Sequence, residues 1–373
     1  MRILLVGRHR QWKSIEPLKC INADFQTITL PSRPAFIAIL VREIVDISMK
    51  LKTYKPEIVL CHGVSYVSLT ALLLAKVTSR PFAVRVAGDI FEDYRTKMIH
   101  YRKQRQLIRL IKCWRRYKIA LFIMRHSSGI ITVANHLKEK FLSQEGRNLP
   151  HIEVAPVPCD ISRFTHASVD SMSNTEFSGN KIILAVTNFN YEEKLEGLKK
   201  ALPALANVLE QRQDVVFLIA GGGFFLNEIR SYIEKRHPDL FNERRVILLG
   251  FVQEIEKLYA IADIVVYYSL MDGCPNVMLE AWAARKPLVV NDSDWSREHV
   301  KKGTALITRD ESELIEKIEL LLDSTEVREE LSSKGYEYVS QNYTNEVVGK
   351  KLVEALSRLT KKPPAKASVK GTW

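Results

Sequence analysis

The sequence predicts an α/β protein with two doubly wound domains, each a parallel sheet covered by helices on both faces. Three observations predict it. Short apolar runs alternate with longer helical stretches along almost the whole chain, which is how strands buried on both faces read. The alternation breaks once, in a polar aperiodic segment at residues 165–180, and then begins again. A chain of 373 residues, at about 150 per domain, is long enough for two such cores.

In the first half, residues 3–6 (ILLV) predict a strand and 36–52 a helix ended by Lys55-Pro56. Residues 57–63 predict a strand and turn, 68–76 a helix and 82–88 a strand. A long basic helical stretch follows. Residues 129–134 predict a strand, 135–143 a helix with Asn135 as its cap, and 151–158 the last strand. The second half opens with a strand at 181–188 and a helix at 193–211, interrupted or reset near Pro203. Strands at 215–223, 245–250, 263–269 and 287–292 alternate with helices at 226–236, 254–262 and 276–284. Helices at 311–322, 325–341 and 347–359 close the chain. No short sequence repeat is visible: the halves repeat an architecture. Two such domains place a cleft between the carboxyl ends of their sheets, where open α/β sheets bind ligands.

Composition narrows the class. With 46% hydrophobic and 26% charged residues the chain reads as globular, not as disordered, collagenous or coiled-coil. Its five cysteines (20, 61, 113, 159 and 274) form no CxxC pair, which points to a reducing, cytoplasmic setting. The first strand is too brief for a signal core, and the longest fully apolar runs, 35–41 and 119–124, fall far short of the roughly 20 residues of a span. No signal peptide or integral membrane segment is expected.

The net charge of +12 is localised. Residues 91–128 carry a net +9 and residues 361–373 a net +4, leaving the rest near neutral. Such concentration suggests a local anionic partner. The basic element spans Arg102 to His126. Leu107, Leu110, Ile111, Trp114 and Ile108 can share a helical face, with Arg105, Arg109, Lys112 and Arg116 around it. Two readings stay open: a helix lying on an anionic bilayer at the inner face of the cell membrane, or a solvated helix packed on its own domain. No zinc finger, RNP-like segment or recognition helix supports nucleic acid as a partner.

Two segments carry chemistry. Gly221-Gly222-Gly223 sits between a strand and a helix, where glycine permits a tight turn and close approach of a ligand to backbone N–H groups. It lacks GxGxxG spacing, and no GxxxxGK[ST] segment occurs, which counts against a dehydrogenase and a P-loop ATPase. The more informative stretch runs from Asp272 through Gly273, Cys274, Pro275 and Asn276 to Glu280. A loop leads into a helix whose first turn offers N–H groups to phosphate or sugar hydroxyls. Asp272 and Glu280 can bracket one ligand, since a carboxylate accepts hydrogen bonds from vicinal hydroxyls. Read without function, Asp272 is a turn former before glycine and Glu280 a surface glutamate. Trp282 and Met278 read as core.

The stretch 272–280 resembles the acid-x7-Glu signature of retaining nucleotide-sugar glycosyltransferases of family 4, which have the GT-B fold. This chain has Asp272 where the family commonly has Glu. The resemblance extends to Ala283–Val290, Ile219–Gly223, Leu249–Val252, Pro156–Phe164 and Lys194 in TNFNYEEKLEGLKKAL. It implies residues 1–164 as an acceptor-side domain, a linker at 165–180, a nucleotide-sugar domain at 181–345, a helix at 346–360 crossing back to the first domain, and a basic disordered tail at 361–373.

The resemblance implies roles as well. Glu280 would bind donor ribose hydroxyls, Asp272 the transferred sugar, and the N–H groups of Gly273, Cys274, Pro275 and Asn276 (proline by its turn alone) sugar and diphosphate. Lys194 would neutralise the leaving diphosphate; its alternative is a plain exposed lysine. The family's arginine a few residues earlier is missing at Thr187–Asn190, and Arg85 or Lys199 could supply its charge. Ala87 stands where the family often has histidine, so Asp89, Arg85 and His62 become candidates beside the reacting carbon. His62 and Asp89 each have a packing or turn role as the alternative. Arg8 and Arg10 lie in a basic first loop that could touch an acceptor phosphate or simply be solvated. The expected activity is metal-independent, retaining transfer from a nucleoside-diphosphate sugar to a glycan or a lipid-linked or anionic acceptor. No cofactor is expected, no DxD segment lies in a suitable loop, and no His/Cys cluster has ligand spacing. The alternatives are another enzyme on this fold, an epimerase or hydrolase, and a binding protein whose donor site has decayed.

Overall fold

The computed structural model describes residues 1–7, 12–29, 36–145, 149–165 and 179–361, with the backbone alone at 12, 36–41 and 145. Two compact units emerge: Met1–Pro158 with Asn345–Trp373, and Cys159–Thr344. The basic loop with Arg8 and Arg10 lies outside the described residues, as do most of the expected linker and tail.

The first unit runs β1 (Ile3–Gly7), α1 (Trp12–Cys20), β2 (Phe25–Thr29), α2 (Phe36–Thr53), β3 (Ile58–His62), α3 (Tyr66–Val77), β4 (Phe82–Val86), α4 (Ile90–Lys103), α5 (Leu107–His126), β5 (Gly129–Thr132), α6 (Asn135–Glu145) and β6 (Ile152–Val154). Its six strands are all parallel, in the order β2-β1-β3-β4-β5-β6. Successive side chains alternate faces. Leu4, Val6, Val59, Val84 and Ile130 meet one helical layer, and Ile3, Leu5, Leu60, Ala83 and Ile131 meet the other.

The second unit runs α7 (Ile161–Thr165), β7 (Lys181–Val186), α8 (Glu192–Gln211), β8 (Val215–Ala220), α9 (Leu226–Arg236), α10 (Pro238–Asn242), β9 (Val246–Gly250), α11 (Ile255–Ile261), β10 (Ile264–Tyr267), α12 (Asn276–Ala283), β11 (Leu288–Asn291), α13 (Asp294–His299), β12 (Leu306–Thr308), α14 (Glu311–Asp323) and α15 (Thr325–Asn342). Its sheet, again all parallel, has the order β12-β11-β10-β7-β8-β9. The chain starts at β7, builds outward to β9, then returns to the other side of β7 with β10. The strand order therefore reverses between β7 and β10, and a crevice opens at their carboxyl ends.

The last helix, α16 (Asn345–Thr360), belongs to the first unit. Leu352, Ala355, Leu356 and Leu359 complete the core on the face of the first sheet lined by Ile3, Leu5 and Leu60.

Three details differ from the sequence expectation. The basic stretch Arg102–His126 is not one helix. Tyr101 O accepts from Gln106 N–H at 2.9 Å while Arg105 adopts φ 54°, a helix stop that glycine normally supplies. The structure thus separates α4 from α5. Conversely, α8 continues through Pro203. An interior proline costs a helix about 3 kcal/mol. Leu195, Leu198, Leu202, Leu205, Val208 and Leu209 are buried along α8, and each fully buried side chain returns roughly 1.5–3 kcal/mol. Finally α1, α7, α10, α13 and the edge strands β2 and β12 have no counterpart in the sequence expectation. The strands are short or partly exposed, and β2 (FQTIT) lacks a continuous apolar run.

Among the described residues no helix is long and apolar enough to cross a membrane. Leu356 is fully buried in the layer that α16 supplies. Leu356→Ala is expected to destabilise the protein by about 2–5 kcal/mol in urea unfolding, a cavity-scale loss; a loss within 0.5 kcal/mol would mean that α16 is not part of this core.

Candidate functional site

At the reversal point of the second sheet, β7 hands over to residues 187–191 and α8, and β10 hands over to residues 268–275 and α12. These two loops carry the residues singled out in the sequence. Lys194, in the first turn of α8, places Nζ 2.9 Å from Asp272 Oδ2. The Tyr267 hydroxyl donates to the same oxygen at 2.6 Å, and the Gly273 N–H donates to Oδ1 at 2.8 Å. The two charged side chains are only 21% and 13% exposed. Burial works against charge on both, and their partners override it. Asp272 holds the Lys194 ammonium well above the usual lysine range. Lys194 and the Tyr267 hydroxyl hold the Asp272 carboxyl below the usual carboxylate range. The tertiary structure thus makes a largely buried ion pair of two residues that the sequence presented separately.

A close backbone approach makes this pairing possible. A Cβ at Gly197, one turn beyond Lys194, would sit 2.5 Å from Tyr268 O. Only glycine lets α8 lie so near the exit of β10. The Leu270 N–H then donates to Glu193 O at 3.2 Å.

The 268–275 loop is pinned from the far side. The Asn291 amide accepts from Ser269 N–H and donates to Ser269 O, at 2.9 and 3.1 Å. Trp295 Nε1 donates to Ser269 O at 3.1 Å. His299 Nε2 lies 2.8 Å from Gly273 O, and Nδ1 lies 3.1 Å from the Tyr343 hydroxyl. A carbonyl only accepts, so Nε2 carries the proton in this contact. Asn291, Trp295 and His299 escaped the sequence reading because none belongs to a motif; each is identified only by the loop it holds. Beyond the loop, the N-cap position of α12 is Pro275, whose side chain makes no cap hydrogen bond.

Glu280 lies one turn along α12 and accepts from the Tyr259 hydroxyl through Oε2 at 3.1 Å. Burial, then Glu280, raises that hydroxyl well above the ordinary tyrosine range. Arg163 on α7 is a further cation here. It donates twice to Glu256 Oε2, at 3.0 and 2.6 Å, and Glu280 adds to the field that raises its basicity.

The glycine turn supports a neighbouring loop. Gly221 and Gly223 have φ of 155° and 145°, and a Cβ on either would strike Thr187 O or the Phe189–Asn190 peptide at 2.0–2.5 Å. Gly222 O accepts from Phe189 N–H at 3.1 Å, so this turn shapes the loop that precedes Lys194. Within that loop Asn188 Oδ1 accepts from both nitrogens of Asn190, at 3.1 and 2.8 Å. Lys199 pairs with Glu196 and Glu228 at 2.7 Å each. Beside the turn, Phe251 is 81% exposed. A hollow of about 430 Å³ follows it, lined by Val252, Gln253, Glu254, Lys257 and Leu258.

In the first unit Arg85 and His62 meet at one hydroxyl. Arg85 is buried and donates to Ser14 Oγ at 2.7 Å and to Lys13 O, Ala155 O and Pro156 O. His62 Nε2 lies 2.6 Å from the same Oγ. Burial, then the charges of Arg85 and Lys13, lowers the His62 imidazole to about 3, so it is neutral near pH 7. Asp89 caps α4, accepting from Phe91 and Glu92 N–H at 3.1 and 3.0 Å, and pairs with Lys140 at 2.8 Å. Arg105 at the α4–α5 break, and Arg109, Lys112 and Arg116 on α5, are exposed.

Asp272→Asn strands the Lys194 charge. The expected loss is about 3–5 kcal/mol in urea unfolding, with Lys194→Met/Asp272→Leu costing less than the sum of its single changes. Because Asp272 is depressed in the folded state, its contribution is complete above the ordinary aspartate range and is lost as pH falls through the folded value. The wild type should therefore lose more stability on acidification than Asp272→Asn; parallel curves would contradict the pairing.

Residues 169–338 match the family described as Glycosyl transferases group 1. Over 183 residues the chain is 29% identical to an uncharacterized glycosyltransferase of Methanocaldococcus jannaschii, covering 47% of this chain and 45% of that protein. Over 257 residues it is 23% identical to the Escherichia coli UDP-Gal:alpha-D-GlcNAc-diphosphoundecaprenol alpha-1,3-galactosyltransferase, covering 67% of this chain and 62% of that one. The chain thus spans roughly half to two thirds of these two relatives. The crystal structure of Anabaena HepE with UDP-glucose superposes with a TM-score of 0.72 at 16% identity, over 96% of this chain and 100% of that chain. The shared fold is the GT-B architecture expected from the sequence.

Proposed function

We propose that the second unit, which holds most of the residues that match Glycosyl transferases group 1, binds a nucleoside-diphosphate sugar and that the chain transfers the sugar, with retention and without metal, to a glycan or lipid-linked acceptor. The observation that carries this reading is the Lys194–Asp272 pair at the reversal point of the second sheet, beside the start of α12 and one helical turn from Glu280. It joins a cation, an anion and a helix N-terminus within one crevice. That combination suits a diphosphate attached to a polyol.

Glu280 accepts hydrogen bonds from the ribose hydroxyls and is held for that by Tyr259. Lys194 faces the diphosphate. Asp272 keeps Lys194 protonated and fixes its position, so its field is already in place when charge grows on the leaving group. Asp272 also meets the hydroxyls of the transferred sugar. The N–H groups of the first turn of α12 add to that positive field. The hollow beside Phe251 takes the base, with the exposed ring as a stacking face. The HepE complex contains UDP-glucose and the E. coli relative is named for UDP-Gal, which supports uridine as the base here. The name of that relative also specifies a diphosphoundecaprenol acceptor, which supports a lipid-linked acceptor.

In the reaction, the bond from the anomeric carbon to the β-phosphate oxygen breaks, and the acceptor oxygen bonds to that carbon from the same face. The acceptor proton passes to the departing β-phosphate, so no enzyme nucleophile is required. Neutral His62, Arg85 and Asp89 belong to the acceptor-side unit. His62, with Ser14 at Nε2, serves as a hydrogen-bonding group toward substrate rather than as a charge. The five free thiols suit a cytoplasmic enzyme.

Titration calorimetry with UDP- and GDP-sugars tests this reading. One uridine donor is expected to bind in the micromolar range, and Glu280→Ala to lose roughly 1–3 kcal/mol, the value of a hydrogen bond to a charged group. No binding across the panel, or equal binding by the variant, would sink the donor assignment and favour a decayed site. Asn188 in place of a cation and the pairing of Lys199 with two glutamates would then account for it.

A further inference from the structure

We propose that the α4–α5 hairpin of the first unit is a docking surface for an anionic lipid bilayer. The sequence left the facing of this helix open, and the structure resolves it. Cys113, Ala120, Leu121, Ile123 and Met124 form the buried side of α5 and supply its packing. Leu107, Ile108, Ile111 and Trp114 lie on the other side, 65%, 71%, 50% and 51% exposed. Their spacing places them on one stripe over the first two turns after the Arg105 break. Four large apolar side chains turned outward together form a patch that ordinary surface exposure does not explain.

Charge identifies the occupant. Arg109, Lys112, Arg115, Arg116 and Lys118 are exposed around the stripe, and α5 contains no acidic residue. The acids of α4 lie in its first turn, where Asp93 pairs with Lys97 at 2.7 Å and Glu92 lies 3.9 Å from Arg95. Apolar side chains ringed by cations match the boundary between acyl chains and anionic headgroups: Leu107, Ile108 and Ile111 enter the acyl edge while the long basic stems extend to the phosphates. Trp114, with Lys118 Nζ 5.6 Å above its ring, has the amphipathic form that concentrates at such interfaces. A nucleic acid would use the cations and leave the apolar stripe in water. The surface belongs to the first unit and the donor site to the second, so each can fail without the other.

The full chain is sedimented with phosphatidylcholine vesicles and with vesicles of which roughly one third is phosphatidylglycerol. Binding to the anionic vesicles is expected to be at least about tenfold tighter and to weaken with salt. Trp114 emission should shift to the blue and be quenched by brominated acyl chains, a change absent from Trp114→Phe. Ile108→Asp/Ile111→Asp should lose at least about tenfold in vesicle affinity, with unchanged thermal unfolding and donor titration. Arg109→Gln/Lys112→Gln/Arg116→Gln should abolish the lipid preference. Equal binding by the Asp variant, absence of binding by the wild type, or full competition by glycerol phosphate would overturn the proposal. So would a wild-type dimer that the Asp variant converts to monomer without any vesicle binding, which would make the stripe a subunit interface.

Discussion

The second unit is organised around one costly interaction, the burial of Lys194 against Asp272. Removing two charges from water costs several kcal/mol each, and their attraction offsets this only with good geometry and further hydrogen bonds. The structure supplies both. Gly197 admits α8 to the exit of β10, and Tyr267 and the Gly273 N–H fill acceptor positions on Asp272. Asn291, Trp295 and His299 hold the loop so that Asp272 cannot drift away. The glycine turn at 221–223 does the same for the loop before Lys194. Much of what surrounds the pair can be understood as the cost of keeping it in register.

The first unit uses a buried charge differently. The Arg85 guanidinium gathers three carbonyls and the Ser14 hydroxyl. It thereby joins α1 to the segment after β6, and its positive field helps to keep His62 neutral. Asp89 is likewise engaged as the cap of α4 and the partner of Lys140. These polar groups are committed to holding the carboxyl ends of the strands. A neutral imidazole thus lies beside a fixed, charged arginine at Ser14.

Helix α5 shows how one element can serve two environments. Its inward face is an ordinary core face, and Leu107, Ile108, Ile111 and Trp114 lie outward over the turns that follow the break at Arg105. Holding a side-chain-bearing residue in the left-handed region costs roughly 1–2 kcal/mol, and the two hydrogen bonds of the helix stop help to offset that cost.

The central strands were legible because parallel strands covered on both faces read as continuous apolar runs: ILLVG in β1, FAVRV in β4 and VVFLIA in β8. Asp272 and Glu280 stand out as candidates through strand–loop–helix context and spacing, and Lys194 through the family resemblance alone. Edge strands β2 and β12 were not legible, because an edge needs less apolar surface. The α4–α5 break was not, because arginine carries no stop signal, and the continuity of α8 was not, because proline carries a false one. Period and composition suffice for two parallel-sheet domains and the residue types of a polar crevice. The pairing of Lys194 with Asp272, the sharing of Ser14 by Arg85 and His62, and the outward face of α5 come from the folded chain. The reason is physical: local sequence sets period and propensity, whereas pairing across a sheet depends on the order in which distant strands assemble and on how closely their backbones approach.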